Sequence, residues 1–281
     1  MWALRRGSRA TRPGAARSGH APCGRPGAAP SPLVGEGWGG GAPARAGRAA
    51  LAAVMLALAV PAAAAPARVV SINLCTDQLA MLLAAPGQLV AVSHLAADPR
   101  ASAMAAEAAG WPQVRGLAEE VFALSPDLVL AGTFTARPTV ALLRRLGVPV
   151  VELPPATRLD DVPDHLRRIG AALGQPARAE AMAAAYAADL AALRLNLARR
   201  DAAFWFAGGW SSGAGTLGDD ILGATAFRNA GAAGRTGGGV LPLERLVLLA
   251  PDLIVTAAPW PGASRSEEVL RHPAFAAVAA R

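Results

Sequence analysis

The sequence predicts an α/β fold of two Rossmann-like lobes joined by one long α-helix, with the second lobe incomplete. Three observations carry that expectation. From Arg68 onward, short and nearly continuous apolar runs alternate with helical patterns, the order expected of a parallel sheet covered on both faces. Residues 176–200 place apolar side chains at helical spacing behind a leading proline, with no internal glycine. Two segments, EEVFALSPDLVLAG (119–132) and ERLVLLAPDLIVTA (244–257), align at a constant offset of 125 residues, so one structural unit is used twice.

The elements follow in order. Residues 69–72, 89–92, 128–131 and 148–153 read as strands, and residues 76–83, 101–108, 119–124 and 139–146 as the helices between them, the last closed by Gly147 as a C-terminal cap. Met182, Tyr186, Leu190, Leu193 and Leu197 stripe the long stretch, which as a single helix is about 37 Å long at 1.5 Å per residue. Strands at 203–207 and 253–256, a short helix at 219–224 and glycine-rich loops at 208–218 and 231–239 begin a second lobe like the first. The expected organisation is a first lobe at 68–175, a linking helix at 176–201 and a second lobe at 202–281.

Residues 1–67 read differently. Residues 1–44 are rich in Gly, Pro, Ala and Arg without apolar periodicity, so they lack the surface to fold and read as a disordered or over-extended leader. Residues 45–67 combine RAGR, a run of about a dozen apolar residues and PAAAAPA, the pattern of a secretory signal and too short to span a membrane stably. Export to the periplasm is the expectation.

Charge and cysteine content exclude several classes. The net charge of +7 comes from the leader, where eight Arg face the single acid Glu36, whereas residues 68–281 balance nineteen Arg against nineteen acids. A nucleic-acid partner is therefore not expected. The chain has no lysine, which excludes a Walker A phosphate loop. With Cys23 in the leader, Cys75 is left as one thiol, read as a small buried hydrophobe at a strand end. His94, His165 and His272 stand in separate elements, which disfavours a bare-metal site; His165 reads as a surface residue.

Taken together, RVVSINLCTDQL at the first strand, the two Glu-x-x-x-x-x-x-Pro-Asp-Leu segments, ALGQP at the end of the first lobe and the single helical linker resemble the periplasmic binding proteins for cobalamin, haem and iron-siderophore complexes. The resemblance implies a monomeric component of an ABC importer that captures a metal chelate and delivers it to the permease transmembrane subunits, without catalysis and without a resident cofactor. It also implies that Glu119 and Glu244 dock into arginine pockets of the two permease subunits, a charge-assisted and salt-sensitive grip. The plain alternative for each Glu is a favourable position at a helix N-terminus. Members of the family continue past the equivalent of Arg281, which is why the second lobe is expected to be incomplete. A stiff linker implies a small rocking closure.

In open α/β sheets, ligands lie beyond the carboxyl ends of the strands. That rule selects Asn73, Thr76, Asp77, His94, Phe134 and Arg137 in the first lobe, and Trp210, Ser211, Arg235 and Trp260 in the second. Phe134, Trp210 and Trp260 offer flat apolar faces, while Arg137, Arg235 and Arg265 can meet carboxylates or phosphate. A second reading stays open: Gly209-Trp210-Ser211-Ser212-Gly213 fits G-x-S-x-G, and Asp252 and His272 follow in the chain order of a secreted α/β-hydrolase.

Overall fold

A computed structural model of the chain describes residues 64–193, 198–258 and 264–279. The expectations for the leader, the apolar signal run and Trp260 fall on residues outside these ranges.

The first lobe runs β1 (Val69–Ser71), α1 (Leu74–Leu83), β2 (Leu89–Ser93), a 3-10 turn (His94–Ala97), α2 (Ala105–Ala108), β3 (Gln113–Val114), α3 (Ala118–Ala123), β4 (Leu128–Gly132), α4 (Arg137–Arg145), β5 (Val150–Leu153) and α5 (Asp161–Ala172). Next come α6 (Pro176–Leu193), β6 (Arg200–Phe204), β7 (Trp210–Ser212), α7 (Leu217–Ala224), β8 (Phe227–Asn229), β9 (Gly238–Val240), α8 (Leu243–Leu249), β10 (Leu253–Val255), a 3-10 helix (Arg265–Arg271) and α9 (Pro273–Ala279). The sheets are β3-β2-β1-β4-β5, β10-β6-β8 and the pair β7-β9. The first two are parallel throughout, and the third is antiparallel.

Successive strand residues feed opposite faces of the first sheet, as a pleat requires. Val69, Leu128 and Leu130 pack with Leu83 of α1 and Ile169 of α5, while Val70, Val129 and Ala131 pack with Val121 of α3 and Leu143 of α4. Both cores are closed from water, which explains why the strands read as unbroken apolar runs. The core of the second lobe is smaller: Ala203, Trp205, Leu241 and Leu246, with Phe275 of α9 stacked on Trp205 at 5.0 Å.

The 125-residue repeat is a repeat of structure. β1 lies between β4 and β2, as β6 lies between β10 and β8. Asp127 accepts hydrogen bonds from the backbone N–H groups of Ala67 (2.7 Å) and Arg68 (2.9 Å), and its twin Asp252 accepts one from Asp201 (2.8 Å). Each carboxylate thus ties down the chain just before the residue that pairs with its own strand. Ser125 and Ala250, one step before the twin prolines, both adopt left-handed φ, at 48° and 41°.

α6 is seated on α5 by close approach. A Cβ built on Gly170 would stand 2.2 Å from the Ala179 Cβ, so the helices meet backbone against methyl. At the far side, Leu159 of the first lobe is held at both backbone groups. Its N–H donates to the Asp220 carboxylate of α7 at 2.7 Å, and its carbonyl accepts from the Tyr186 hydroxyl of α6 at 3.2 Å.

Four expectations need correction. The linking helix does not reach residue 201, because Arg200 and Asp201 already pair with Phe227 and Arg228 in the sheet, and Asp201 binds the Arg228 guanidinium; this strand opens on polar residues that a helical pattern absorbs equally well. The helix at 101–108 shrinks to α2, since the Ser102 hydroxyl takes the Met104 N–H and the Asp98 carbonyl takes those of Ala101 and Ser102, competing with helix formation. Cys75 is exposed in the first turn of α1 and not buried. β3, β7, β8 and β9 are strands of two or three residues, too short to show a period. Among the described residues no helix is long and apolar enough to cross a membrane.

Candidate functional site

The loops beyond the carboxyl ends of β1, β4 and β5 form a shallow depression lined by Asn73, Cys75, Gly132, Thr133, Phe134, Leu153, Pro154 and Pro155. Asn73 is placed there as the N-cap of α1, its side-chain oxygen accepting from Cys75 N–H at 3.1 Å. Gly132 lets that amide approach, because a Cβ at this position would meet the Asn73 Nδ2 at 2.7 Å. Phe134 stands 87% exposed at the tip of the loop after β4.

Thr76 and Asp77 lie beneath the surface, both at 0% exposure. The Thr76 hydroxyl bonds to the Ser71 hydroxyl and to the Asn73 carbonyl, and the Asp77 carboxylate accepts from the N–H and hydroxyl of Ser93. Their expected role as ligand contacts is corrected: they pin α1 to the ends of β1 and β2. Burial pushes the Asp77 carboxyl above its ordinary value, against the Ser71 and Ser93 hydrogen bonds and the nearby His94. Partial burial of the sulfur, with Asp77 close by, likewise pushes the Cys75 thiol up. A raised thiol pKa leaves Cys75 a poor nucleophile and metal ligand.

His94 is exposed at the start of the turn after β2. Arg137 is also exposed, but it lines a separate hollow with Val140, Ala141, Arg144 and Glu152 at the β5 edge, apart from Asn73 and Phe134.

In the second lobe the β7-β9 pair follows β6 and β8, at the carboxyl ends of those parallel strands. Trp210 pairs across with Val240, and the two are 51% and 63% exposed. Ser211, pointing to the other face, is fully buried, with no hydrogen-bond partner for its hydroxyl among the described residues. The Arg235 guanidinium turns back onto the Gly231 carbonyl at 3.0 Å. The structure thus places Trp210 and Ser211 on opposite faces of one small sheet, with Arg235 in the loop before β9, and Asn73 and Phe134 on one depression. Val240, Pro154 and Pro155 were missed by sequence reasoning, which had no pattern for a three-residue strand or a prolyl loop.

Hydrolase geometry is absent. Ser211 sits in an antiparallel strand and not on a strand-to-helix elbow, Asp252 is bonded to the Asp201 N–H, and the His272 Nδ1 accepts from the Ala274 N–H. Asp252 and His272 are each taken up by a local backbone bond and the Ser211 hydroxyl has no partner among the described residues, so no relay links the three.

Glu119 and Glu244 are exposed, and each is the second residue of its short helix, α3 or α8. Behind them the twin residues Val121 and Leu246 are both at 0% exposure.

Residues 69–281 match the sequence model of the family described as periplasmic binding protein. Over 141 residues the chain is 31% identical to the vitamin B12-binding protein of Pectobacterium carotovorum subsp. carotovorum (strain PC1), covering 50% of this chain and 50% of that protein. The chain thus spans about half the length of this curated relative. Its fold matches the periplasmic heme-binding protein RhuT from Roseiflexus sp. RS-1 (26% identity, TM-score 0.58, 67% of this chain and 75% of that one). It also matches a periplasmic heme binding protein from Pseudomonas aeruginosa (26% identity, TM-score 0.59, 75% and 79%).

Proposed function

The chain belongs to the periplasmic binding protein family, and from that membership we propose that it captures a metal chelate of the corrinoid, haem or ferric-siderophore class in the periplasm. It holds this cargo without altering it and hands it to the transmembrane subunits of an ABC importer. The observation that carries the reading is the pair of exposed aromatic surfaces, Phe134 in the first lobe and Trp210 in the second, each beyond the carboxyl ends of a parallel sheet. Flat apolar faces backed by polar loops suit a large amphipathic ligand. The names of the relatives point to the same ligand chemistry, with vitamin B12 for one and heme for others. Asn73, His94, Phe134, Trp210 and Trp260 are the proposed contacts, with Asn73 and His94 supplying polar groups at the rim; Arg235, bonded to the Gly231 carbonyl, backs the β7-β9 pair from the face opposite Trp210. Ser211 is buried behind this surface and supports it from below.

Glu119 and Glu244 are the proposed docking carboxylates. Their matched places on twin helices give one acidic handle per lobe, suited to a two-fold partner. Titrating the purified chain with cyanocobalamin, haemin and a ferric siderophore, followed by tryptophan fluorescence, tests the reading. Saturable binding of one of them is expected, and binding of none overturns it.

A further inference from the structure

The stretch from Gly231 to Gly239 contains two kinds of glycine. Gly234 and Gly237 have φ of +70° and +69°, so the backbone itself calls for glycine there. Gly238 and Gly239 lie in β9 with φ outside that region, so any residue could follow their backbone path. What is excluded at these positions is a side chain. A Cβ on Gly238 would stand 2.6 Å from Cζ2 and 3.2 Å from Cε2 of Trp210, whereas a Cβ on Gly239 would meet the Arg235 Nη2 at 3.3 Å. Each glycine therefore clears room for one partner, on opposite faces of the strand.

The Trp210 side is the exposed one. Trp210 pairs with Val240, and Gly238, two residues from Val240, shares their face. The indole runs diagonally from its own strand across bare backbone, and Val240 stands beside it. The result is a shelf about 5 Å wide between strands and about 7 Å long between alternate residues, open to solvent on its upper side. An apolar shelf of this size takes one edge of a larger flat ring system, with the remainder extending over its open side, and offers nothing to an isolated polar group.

We propose that Gly238 is the positioning residue that lets Trp210 lie down over β9, and that the resulting shelf receives the ring of a tetrapyrrole, either corrin or porphyrin. This rests on the reading of Trp210 as a ligand contact. The first Cβ atom at residue 238 lifts the indole and narrows the shelf without straining the backbone.

The test is a double-mutant cycle on the full chain: Gly238→Val, Trp210→Ala and the double variant, with Gly238→Ala as the milder change should the valine variant fold poorly. Cyanocobalamin, haemin and ferrichrome are the probes. The expected result is that Gly238→Val and Trp210→Ala each weaken the tetrapyrrole that the parent binds by about tenfold, or about 1.4 kcal/mol. The double variant is then no weaker than either single one, since both remove the same platform. The choice between cyanocobalamin and haemin identifies the ring. Should Trp210→Ala weaken binding while both Gly238 variants bind like the parent, the role given to Gly238 is overturned and the ligand surface stands. If neither Trp210→Ala nor the Gly238 changes weaken binding, the surface itself is misassigned and the proposal falls with it. A parent that binds ferrichrome and neither tetrapyrrole overturns the ligand class.

Discussion

Gly170→Ala tests how the linking helix is held. The added Cβ would stand 2.2 Å from the Ala179 Cβ, 3.1 Å from the Gln175 carbonyl oxygen and 3.6 Å from the Ala179 Cα. Ordinary carbon contacts lie near 3.5–4.0 Å, so α6 must retreat by about 1.5 Å, and no flexible side chain is there to absorb the change. Overpacking of this kind costs roughly 1–3 kcal/mol. Alanine in place of glycine within a helix returns about 1 kcal/mol. The net expectation is a loss of up to about 2 kcal/mol, or up to roughly 8 °C in Tm for a domain of this size. Thermal unfolding followed by circular dichroism measures it, and Gly170→Leu should be worse. The sign decides the matter: a Gly170→Ala protein that melts above the parent would mean the helices do not meet at this point.

Asp77 gives a pH prediction. Burial raises its folded-state pKa above the ordinary 3.8, so the folded protein keeps a proton that the unfolded chain has released. The associated stability is fully present below 3.8 and is lost as pH rises through the elevated folded value. Asp77→Asn, which cannot ionise, should flatten that part of the profile in urea titrations; an unchanged slope refutes it. At the lobe contact, Asp220→Ala removes the acceptor for Leu159 N–H, and a hydrogen bond worth about 1 kcal/mol predicts roughly fivefold faster amide exchange at Leu159. Asp220→Asn keeps an acceptor and should exchange like the parent, and equal exchange in all three proteins would rule out the contact. For docking, Glu119→Gln and Glu244→Gln should each reduce ligand-stimulated ATPase activity of the reconstituted importer while leaving ligand affinity unchanged. Wild-type stimulation by the double variant would exclude both as handles.

Much of the first lobe was legible because its strands are buried on both faces and bracketed by clear turn and cap residues, as at Gly147 and the Pro126-Asp127 turn. The repeat was legible because the same physical task recurs: a Pro-Asp turn whose carboxylate ties down a neighbouring strand. Short-range competition was not visible. Ser102 and Asp98 divert the backbone before α2, and the polar pair Arg200-Asp201 hides the start of β6 inside an apparent helix. The site was legible only in outline. The rule of strand carboxyl ends selected Asn73, Phe134 and Trp210, which lie at the surface beyond those ends, but it could not tell that Thr76 and Asp77 face inward, because burial at a helix start depends on where the next strand packs. Gly238 fell within an expected glycine-rich loop, and its contact with Trp210 exists only once β7 and β9 are paired.

Capture and delivery without chemistry require that the chelate be held and released unchanged. Native mass spectrometry of the chain incubated with its preferred chelate, followed by release and mass analysis of that chelate, puts this most directly. One intact ligand per chain, recovered at its original mass, is the predicted result; a ligand returned cleaved, or an adduct left on the protein, would contradict it.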